Sequence, residues 1–231
     1  MAVKMKKNDV LKVLITGYSF DGYGVCKPGG YVLFVPGAIK GETLLVKVLK
    51  ATKTYGYAKI LEIIDPSPDR VAPLCASFEK CGGCQFWHMN YKAEKELKKE
   101  LVNGLFERAG FNRPVKEVLS TGVITGYRNK AQYPIRQQNG VIKSGFFAPH
   151  SHRVIECSCL IQPPVFEKLR QSVIDFLNKY KIEGYDEVNH TGIARGLYLR
   201  STADNSNIML ALIINGKHFK YENELVKHLT C

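Results

Sequence analysis

A cluster of cysteines places the strongest constraint on how this chain can fold. Cys75, Cys81 and Cys84 lie within ten residues, and Gly82 and Gly83 fill the interval between the last two. Thiolates are the soft ligands that zinc ions and iron–sulfur clusters prefer. A C-x2-C turn lets two sulfurs converge on one metal centre, and the glycines let backbone N–H groups approach those sulfurs. If these cysteines hold a metal centre, its fourth ligand must come from a distant segment.

Cys157 and Cys159 are the candidates for that fourth ligand. On spacing alone, three interpretations stay open. A [4Fe–4S] cluster needs four thiolates whose spacing can be irregular, whereas a structural zinc site usually shows two short ligand pairs and this chain has one. Free cysteines also occur simply as small, buried apolar residues. The odd total of seven cysteines, with no secretory signal recognisable in residues 1–8, argues against a disulfide framework.

The chain carries a strong positive charge. Its 231 residues include 33 Lys and Arg against 21 Asp and Glu, which gives a formal net charge of +12, and 45% of them are hydrophobic. This composition is typical of a globular protein, and the charge favours a polyanionic partner such as nucleic acid. No apolar run approaches the roughly 20 residues that span a membrane. We therefore expect a cytoplasmic, nucleic-acid-binding protein of one large domain or two small ones.

Residues 8–65 are predicted to form short strands separated by turns. The turn signals are Asp21-Gly22, Pro28-Gly29-Gly30 and Pro36-Gly37. Four or five strands in so short a stretch favour a small β-barrel of the oligonucleotide-binding (OB) type. The predicted strands are 10–15, 31–35, 43–49 and 57–63. Asp65-Pro66-Ser67-Pro68 then ends the last strand and is predicted to be a linker.

Leucines spaced four residues apart predict one clear helix at 92–109. Leu97, Leu101 and Leu105 lie on one face of it, and Gly110 is a suitable C-cap. Beyond Pro114, strands and helices are mixed, which favours an α+β domain. The predicted elements there are strands at 130–136, 141–148, 153–156, 193–200 and 207–214, and helices at 165–181 and 222–229.

Further motifs accompany the cysteines in a recognisable order. Gln85, His88 and Tyr91 follow them, ahead of a Lys- and Glu-rich helix. The later segments are Tyr127–Lys130, Gly145–Phe147, Ser151–Val154 and Cys159–Pro163, and the earlier ones are Asp21–Val25 and Val35–Glu42. The cysteine run and the later segments resemble bacterial RNA (uracil-5-)-methyltransferases of the 23S rRNA type, and the earlier segments resemble the TRAM domain that opens many of them. The resemblance covers about residues 8 to 231.

That resemblance implies an oxygen-sensitive [4Fe–4S] cluster. Its four ligands would be Cys75, Cys81, Cys84 and Cys159, the last because it directly precedes the matching segment Leu160–Pro163. Cys157 departs from the family pattern and is kept as the alternative fourth ligand. Methyl transfer from S-adenosylmethionine needs no electron, so the cluster is expected to be structural or to position RNA.

The resemblance also implies a reaction. Members of the family methylate uracil C5 from S-adenosylmethionine, after a cysteine thiolate adds to C6 and before a base removes the C5 proton. No motif for that cofactor or for those catalytic groups is recognisable in this sequence. We therefore expect no catalytic residue in this chain, which would be the N-terminal half of such an enzyme without its Rossmann-like methyltransferase domain.

The expected fold class is multidomain β and α+β. The expected domains are a TRAM/OB-like barrel at 1–65, an iron–sulfur segment at 66–91, a helix at 92–118 that packs on the missing methyltransferase domain, and a central α+β domain at 119–231. If the apolar face of the helix at 92–109 is uncovered, self-association is expected. The expected substrate is 23S rRNA, with tRNA as the second candidate, and the alternative function is a stand-alone, non-catalytic RNA-binding iron–sulfur protein.

Two groups of basic residues are candidates for RNA contacts. The first lies in the predicted barrel, interleaved with Tyr55 and Tyr57, and is expected to bind phosphates while the tyrosines stack on bases. The alternative for this group is a lysine-rich barrel surface over core tyrosines. The second lies on a later strand, where the alternative is a salt bridge to the cluster domain. The first group is Lys40, Lys47, Lys50 and Lys53, and the second is Arg128, Lys130 and Arg136.

Overall fold

The computed structural model describes residues 5–138 and 140–230, which form two compact units. Unit 1 comprises the described residues through Leu74 together with Gln85–Ser120, and unit 2 comprises Cys75–Cys84 together with those from Thr121 onward. This division differs from the predicted domain boundaries, because the cysteine segment belongs with the later residues and not with the stretches on either side of it. Residues 1–4 of the predicted barrel and Cys231 lie outside the described residues.

Unit 1 contains a six-stranded, mostly antiparallel sheet. Its strands are β1 (Val10–Leu14), β2 (Gly17–Tyr18), β3 (Gly24–Cys26), β4 (Val32–Val35), β5 (Thr43–Ala51) and β6 (Tyr55–Asp65). Their order across the sheet is β1-β5-β6-β4-β3-β2, and β4 pairs with β6 in parallel. The four predicted strands all form, and β6 extends two residues beyond the prediction at each end.

Alternation along these strands directs every second side chain into one core. Leu44, Val46 and Val48 of β5 are fully buried, whereas Lys47 between them is not. Val13 of β1 and Cys26 of β3 come from distant strands of the sheet and enter the same core, so the sheet curls around it as the predicted small barrel requires. Each fully buried aliphatic side chain of this kind contributes about 1.5–3 kcal/mol.

A single long helix, α1 (Tyr91–Arg108), completes unit 1. It begins at Asn90, whose side-chain oxygen accepts a hydrogen bond of 2.9 Å from the backbone N–H of Ala93. Leu97 packs against Ile39 and Met89 in a small cluster of its own. Further along, Leu105 is exposed. The first part of the predicted apolar stripe, at Leu97, thus packs within unit 1. Self-association through the exposed remainder of the stripe stays a prediction.

Unit 2 is built on a four-stranded antiparallel sheet. Its strands are β7 (Lys130–Gln138), β8 (Val141–Ser144), β11 (Ala194–Ser201) and β12 (Ile208–Ile214), in the order β12-β11-β7-β8. β9 (Phe146–Phe147) and β10 (Val154–Ile155) form a short separate pair, and the helices are α2 (Pro164–Lys179) and α3 (Glu222–Thr230). Phe166 and Leu177 of α2 and Leu225 of α3 share one core with Tyr133 and Leu197 of the sheet.

The helices of unit 2 cover one face of its sheet, because alternate residues of β7 point to opposite sides. Ala131, Tyr133 and Ile135 are buried in the core that α2 shares, whereas Lys130 and Gln132 are exposed. The sheet therefore has a helix-covered face and an open face. None of the helices within residues 5–138 and 140–230 is long and apolar enough to cross a membrane.

Candidate nucleic-acid interface and cysteine site

Three aromatic rings form a patch on the outer surface of the barrel, which we call the Tyr55 patch. The ring centroids of Phe34 and Tyr57 are 5.5 Å apart, and Tyr55 lies 6.0 Å from Phe34 and 5.9 Å from Tyr57. The side chains of all three point outward from β4 and β6, so they are partly open to solvent and do not lie in the core. The alternative that these tyrosines are core residues is therefore wrong.

Lysines surround the Tyr55 patch on the same outer face. Lys50 is paired with Tyr57 across β5 and β6, and Lys47 is paired with Lys59 in the same ladder. Lys50 and Lys53 are exposed. Lys40 lies apart from them, in a 2.8 Å ion pair with Glu100 of α1 that is about half exposed on both sides. The structure thus brings Lys47, Lys50 and the aromatic rings together, whereas Lys40 has a partner of its own.

A buried ion pair secures the segment that follows the barrel. Glu42 has 0% exposure, and both its carboxylate oxygens accept hydrogen bonds from the Arg70 guanidinium, one of them at 2.7 Å from an Nη atom. It also accepts from the backbone N–H groups of Ile39 at 2.8 Å and Ser67 at 3.3 Å. Burial alone would raise the pKa of Glu42, but these hydrogen bonds and the Arg70 charge outweigh it and lower the pKa below its ordinary value.

The cysteine segment is held to the rest of unit 2 through its glycines. The N–H of Gly82 donates a 2.9 Å hydrogen bond to the carbonyl oxygen of Phe147, and a Cβ added at Gly82 would lie 3.0 Å from that same oxygen. The N–H of Gly83 donates to the Sγ of Cys81 at 3.4 Å. The approach of a backbone N–H to a sulfur is as expected for the glycine pair. The close contact of Gly82 with the neighbouring strand is an additional finding.

Five thiols of unit 2 influence one another electrostatically. A hydrogen bond from the Cys157 thiol, the largest effect, lowers the pKa of Cys81 to about 6, and the same contact raises the pKa of Cys157. Burial is the largest cause of the raised pKa of Cys159, and charge on Cys84, Cys81 and Cys75 adds to it. All four predicted ligands, together with Cys157, are therefore close enough to interact.

These thiols do not converge on one point. Among residues 5–138 and 140–230, no three His, Cys, Asp or Glu side chains are grouped closely enough to hold a single metal ion. Four sulfurs around one zinc ion at ~2.3 Å would lie only about 3.8 Å from one another. A [4Fe–4S] cluster distributes its thiolates over four iron atoms and so accommodates a wider set. The described residues of unit 2 therefore show no single-ion site.

The second group of predicted RNA-binding residues is divided by the structure. Arg128 and Lys130 are exposed, and the Lys130 Nζ lies 5.9 Å from the centroid of the Tyr198 ring on the open face of the sheet. Arg136 is instead mostly buried in an ion pair with Glu187. The salt-bridge alternative therefore applies to Arg136. Its partner, Glu187, lies in the same unit.

Sequence reasoning missed the residues that surround Arg136. Tyr185, Glu187 and Arg195 meet it at one end of the sheet, with the Arg195 guanidinium 4.5 Å from the centroid of the Tyr185 ring. A signal was available in the strand Ala194–Ser201, where Arg195 and Arg200 flank Tyr198 in an otherwise apolar run. Interleaved basic and aromatic residues on a strand are typical of single-stranded nucleic-acid binding.

Comparison with known proteins agrees with the architecture of unit 1. Residues 4–61, which include the six strands up to the middle of β6, match the model of the TRAM domain. This region of the chain is therefore similar to a TRAM domain. The Tyr55 patch and the lysines around it therefore lie in the region that matches the TRAM model, whereas α1 and the segment that carries Arg70 follow it in the chain.

The whole chain is similar to proteins named as RNA methyltransferases. One from Clostridium tetani is 36% identical over 230 residues, which are 99% of this chain and 50% of that protein. Another, from Halalkalibacterium halodurans, is 37% identical over 228 residues, which are 97% of this chain and 50% of the relative. The chain thus spans about half the length of the curated relatives it matches.

A solved structure supports the same fold. The crystal structure of Pyrococcus abyssi tRNA (uracil-54, C5)-methyltransferase in complex with S-adenosyl-L-homocysteine matches 93% of this chain and 48% of its own, with a TM-score of 0.70. Sequence identity over that match is 22%, so the likeness concerns the fold alone.

These comparisons overturn one expectation from the sequence. The fold-class prediction treated the methyltransferase as something missing from this chain. The similarity instead runs through 99% of the chain in a protein named as an RNA methyltransferase, and the likeness of fold to a solved structure extends over 93% of the chain. The prediction was wrong because it inferred a missing domain from unrecognised motifs and from where the sequence stops, and neither shows what a protein lacks.

Proposed function

We propose that this chain acts in the methylation of uracil C5 in RNA, with S-adenosylmethionine as the methyl donor. The observation that carries the proposal is the similarity to RNA methyltransferases over 99% of the chain, at 36% identity. A second observation supports it, since both units present basic and aromatic residues together on an open surface. The role of the described residues is to bind the RNA and to hold it while the methyl group is transferred.

The proposed substrate is 23S rRNA. The order of the TRAM-like and cysteine motifs in the sequence resembles the 23S rRNA enzymes, and this resemblance is the support for that choice. The solved structural relative is a tRNA enzyme, which keeps tRNA as the competing substrate. A stand-alone RNA-binding iron–sulfur protein without catalysis is the second candidate function.

Loss of the gene is expected to remove 5-methyluridine from one position of 23S rRNA. The measurement is nucleoside mass spectrometry of purified 23S rRNA and purified tRNA from cells with and without the gene, with a plasmid copy as the control. A loss confined to tRNA would contradict the choice of 23S rRNA. Unchanged 5-methyluridine in both RNAs would contradict the methylation proposal and favour the non-catalytic alternative.

The first proposed RNA contact is the Tyr55 patch with its lysines. Exposed rings provide faces on which bases stack, and exposed ammonium groups next to them bind phosphates. Lys50 is exposed and paired with Tyr57, and Lys53 is exposed in the bend just before Tyr55, whereas Lys40 is already paired with Glu100. Lys50 and Lys53 are therefore proposed as phosphate contacts, and Tyr55 and Tyr57 as the stacking surface.

Replacing both Lys50 and Lys53 by glutamine is expected to weaken RNA binding equally for all sequences. The slope of log affinity against log salt concentration should fall by about two, because each phosphate contact accounts for about one. Fluorescence anisotropy with labelled RNA at several salt concentrations measures this slope. Lys116→Gln, which removes an exposed charge elsewhere in unit 1, is the control. An unchanged slope in the double variant would exclude these lysines as contacts.

We also propose that Cys75, Cys81, Cys84 and Cys159 hold a [4Fe–4S] cluster. Their mutual electrostatic influence and the glycine-lined turn support this ligand set. Bound there, the cluster would tie the segment Cys75–Cys84 to the residues before α2. Cys157 remains the alternative fourth ligand, since its sulfur is hydrogen-bonded to Cys81.

A further inference from the structure

The open face of the sheet in unit 2 contains a cavity of about 370 Å³. Its floor is apolar and is formed where three strands meet, by Pro134 of β7, Gly196 of β11 and Ile213 of β12. Phe147 contributes an aromatic ring to the lining, and Arg136 and Arg195 contribute guanidinium groups. The volume lies near the lower end of the ~300–1,000 Å³ that is usual for small-ligand sites. The cavity is therefore of the size for one small flat group and not for a duplex.

Arg136 is fixed in place beside this cavity. One Nη atom donates hydrogen bonds of 2.8 Å to the Ile135 carbonyl and 3.1 Å to the Arg195 carbonyl, and the other binds Glu187. The centre of its guanidinium lies 5.4 Å from the Phe147 ring centroid and 5.9 Å from that of Tyr185. The side chain is thus held by carbonyls, a carboxylate and two rings, which leaves it little freedom to move.

One donor of Arg136 lacks an acceptor. Its Nε atom is buried and has no hydrogen-bond partner within the described part of the chain. A buried donor without an acceptor is unfavourable, and native structures seldom keep one without a reason. The Nε atom is shielded from solvent, so a ligand in the cavity would meet Arg136 through the other side-chain atoms that line it.

Arg195 differs from Arg136 in being open to solvent. Its side chain is 48% exposed, its guanidinium stacks 4.5 Å from the Tyr185 ring centroid, and one Nη atom lies 4.0 Å from Glu187. Glu187 is therefore shared by two arginines, which leaves a net positive charge at the rim of the cavity. A pre-oriented, exposed guanidinium of this kind is well suited to bind a phosphate.

The basic and aromatic character continues beyond the cavity along the open face. Lys130 and Arg200 are paired across β7 and β11, and both are exposed. Tyr198 lies between the cavity and these charges, 5.9 Å from the Lys130 Nζ. A backbone leaving the cavity along this face would thus meet further cations.

We propose that this cavity binds one unstacked base of a single-stranded RNA segment, stacked against the lining residues Phe147 and Arg136, with Arg195 as the contact to an adjacent phosphate. Proteins that read single-stranded RNA stack splayed bases on aromatic rings and on guanidinium planes, which are the surfaces assembled here. The inference rests on the proposed function in that the ligand is RNA. It adds a site in unit 2 that is separate from the Tyr55 patch.

Replacing Arg195 by glutamine tests this assignment. The variant is expected to weaken binding of a single-stranded RNA about tenfold and to lower the salt slope by about one, because one phosphate contact is lost. Lys168→Gln removes an equal, exposed charge from α2, on the covered side of the sheet, and should leave both values unchanged. Circular dichroism of both variants checks that unit 2 is folded.

Photo-crosslinking identifies the contacted residues independently of affinity. RNA that contains 4-thiouridine is irradiated with the full chain, and the crosslinked peptides are identified by mass spectrometry. Crosslinks to the segments that carry Phe147 or Arg195, lost in the Arg195→Gln variant, would support the site. Crosslinks confined to the Tyr55 patch would overturn the site while leaving RNA binding intact, and the absence of any RNA binding would overturn the proposed function as well.

A free nucleotide presents the same chemistry as one unit of RNA. Uridine 5′-monophosphate is therefore titrated against the crosslinking reaction. Competition only at concentrations far above that of the RNA would support an RNA site. Competition at equal concentration would show that the cavity is a mononucleotide site and would overturn the assignment to RNA.

Discussion

Replacing Glu42 by glutamine is expected to lower the free energy of unfolding of unit 1 by about 3–5 kcal/mol. Glu42 is fully buried, and its removal as a charge leaves the Arg70 guanidinium, itself only 19% exposed, without its counter-ion. The hydrogen bonds from Ile39 and Ser67 to the carboxylate would also be weakened. Urea unfolding followed by the fluorescence of Trp87 measures the effect, because this sole tryptophan lies in unit 1 next to the segment that pairs with Arg70.

The ion pair between Lys40 and Glu100 provides the matched control. It joins two elements of unit 1 at 2.8 Å, but its side chains are 46% and 51% exposed. Exposed pairs contribute about 0–1 kcal/mol, so Glu100→Gln should change stability little. Equal losses in the two variants would show that burial is not what gives the Glu42 pair its strength, and would contradict the prediction.

The Glu42 pair also gives unit 1 a defined sensitivity to acid. The pKa of Glu42 is lowered in the folded chain, so the carboxylate stabilises the fold at every pH above its ordinary pKa of 4.5 and loses this contribution as the pH falls through the lowered value. The difference in stability between the wild type and Glu42→Gln should therefore be constant near neutrality and shrink below about pH 4.5. A difference that grew on acidification would have the wrong sign.

Replacing any one of Cys75, Cys81, Cys84 or Cys159 by serine is expected to abolish the iron–sulfur cluster. Each thiolate would bind one iron atom, and serine is a much harder ligand than the cluster prefers. Iron and sulfide analysis of anaerobically purified protein, together with its visible absorbance, should give about four iron atoms per chain in the wild type and close to none in the variants.

Cys157→Ser is the discriminating variant in this series. The Cys157 sulfur lies in the same group of thiols and is hydrogen-bonded to Cys81, so the replacement is similar in size and location. Retention of the cluster in Cys157→Ser, with loss in Cys159→Ser, would support the proposed set. The reverse result would make Cys157 the fourth ligand, and zinc in place of iron in the wild type would contradict the cluster itself.

Local patterns were sufficient to predict most of the secondary structure. The barrel strands were found because apolar residues alternate between glycine- and proline-containing turns, and the helix found at 92–109 differs from α1 by one residue at each end. Side-chain burial followed from the same alternation. The same alternation places Glu42 on the buried side of the strand, because it precedes Leu44, Val46 and Val48 by even numbers of residues. The burial of Glu42 was therefore also predictable from the sequence.

Contacts between distant segments could not be predicted in the same way. Arg70 lies 28 positions beyond Glu42, and Glu187 lies 51 positions beyond Arg136, so neither pair produces a local pattern. The Arg136 prediction as an RNA contact rested on its strand alone, without knowledge of the carboxylate that faces it. For the same reason, the cavity on the open face was invisible in sequence, since its floor combines three strands whose register only the folded sheet fixes.

The membership of Cys75–Cys84 in unit 2 has a consequence for the order of events during synthesis. The chain leaves unit 1 after Leu74, returns at Gln85, and leaves again after Ser120, so unit 1 cannot be released from unit 2 by a single proteolytic cut. Translation at about 5–20 residues per second needs roughly 4–15 s to add the 73 residues from Cys84 to Cys157. During that interval the three thiols of the first segment precede their later partners, so the proposed four-cysteine set would be complete only after the later segment has been translated.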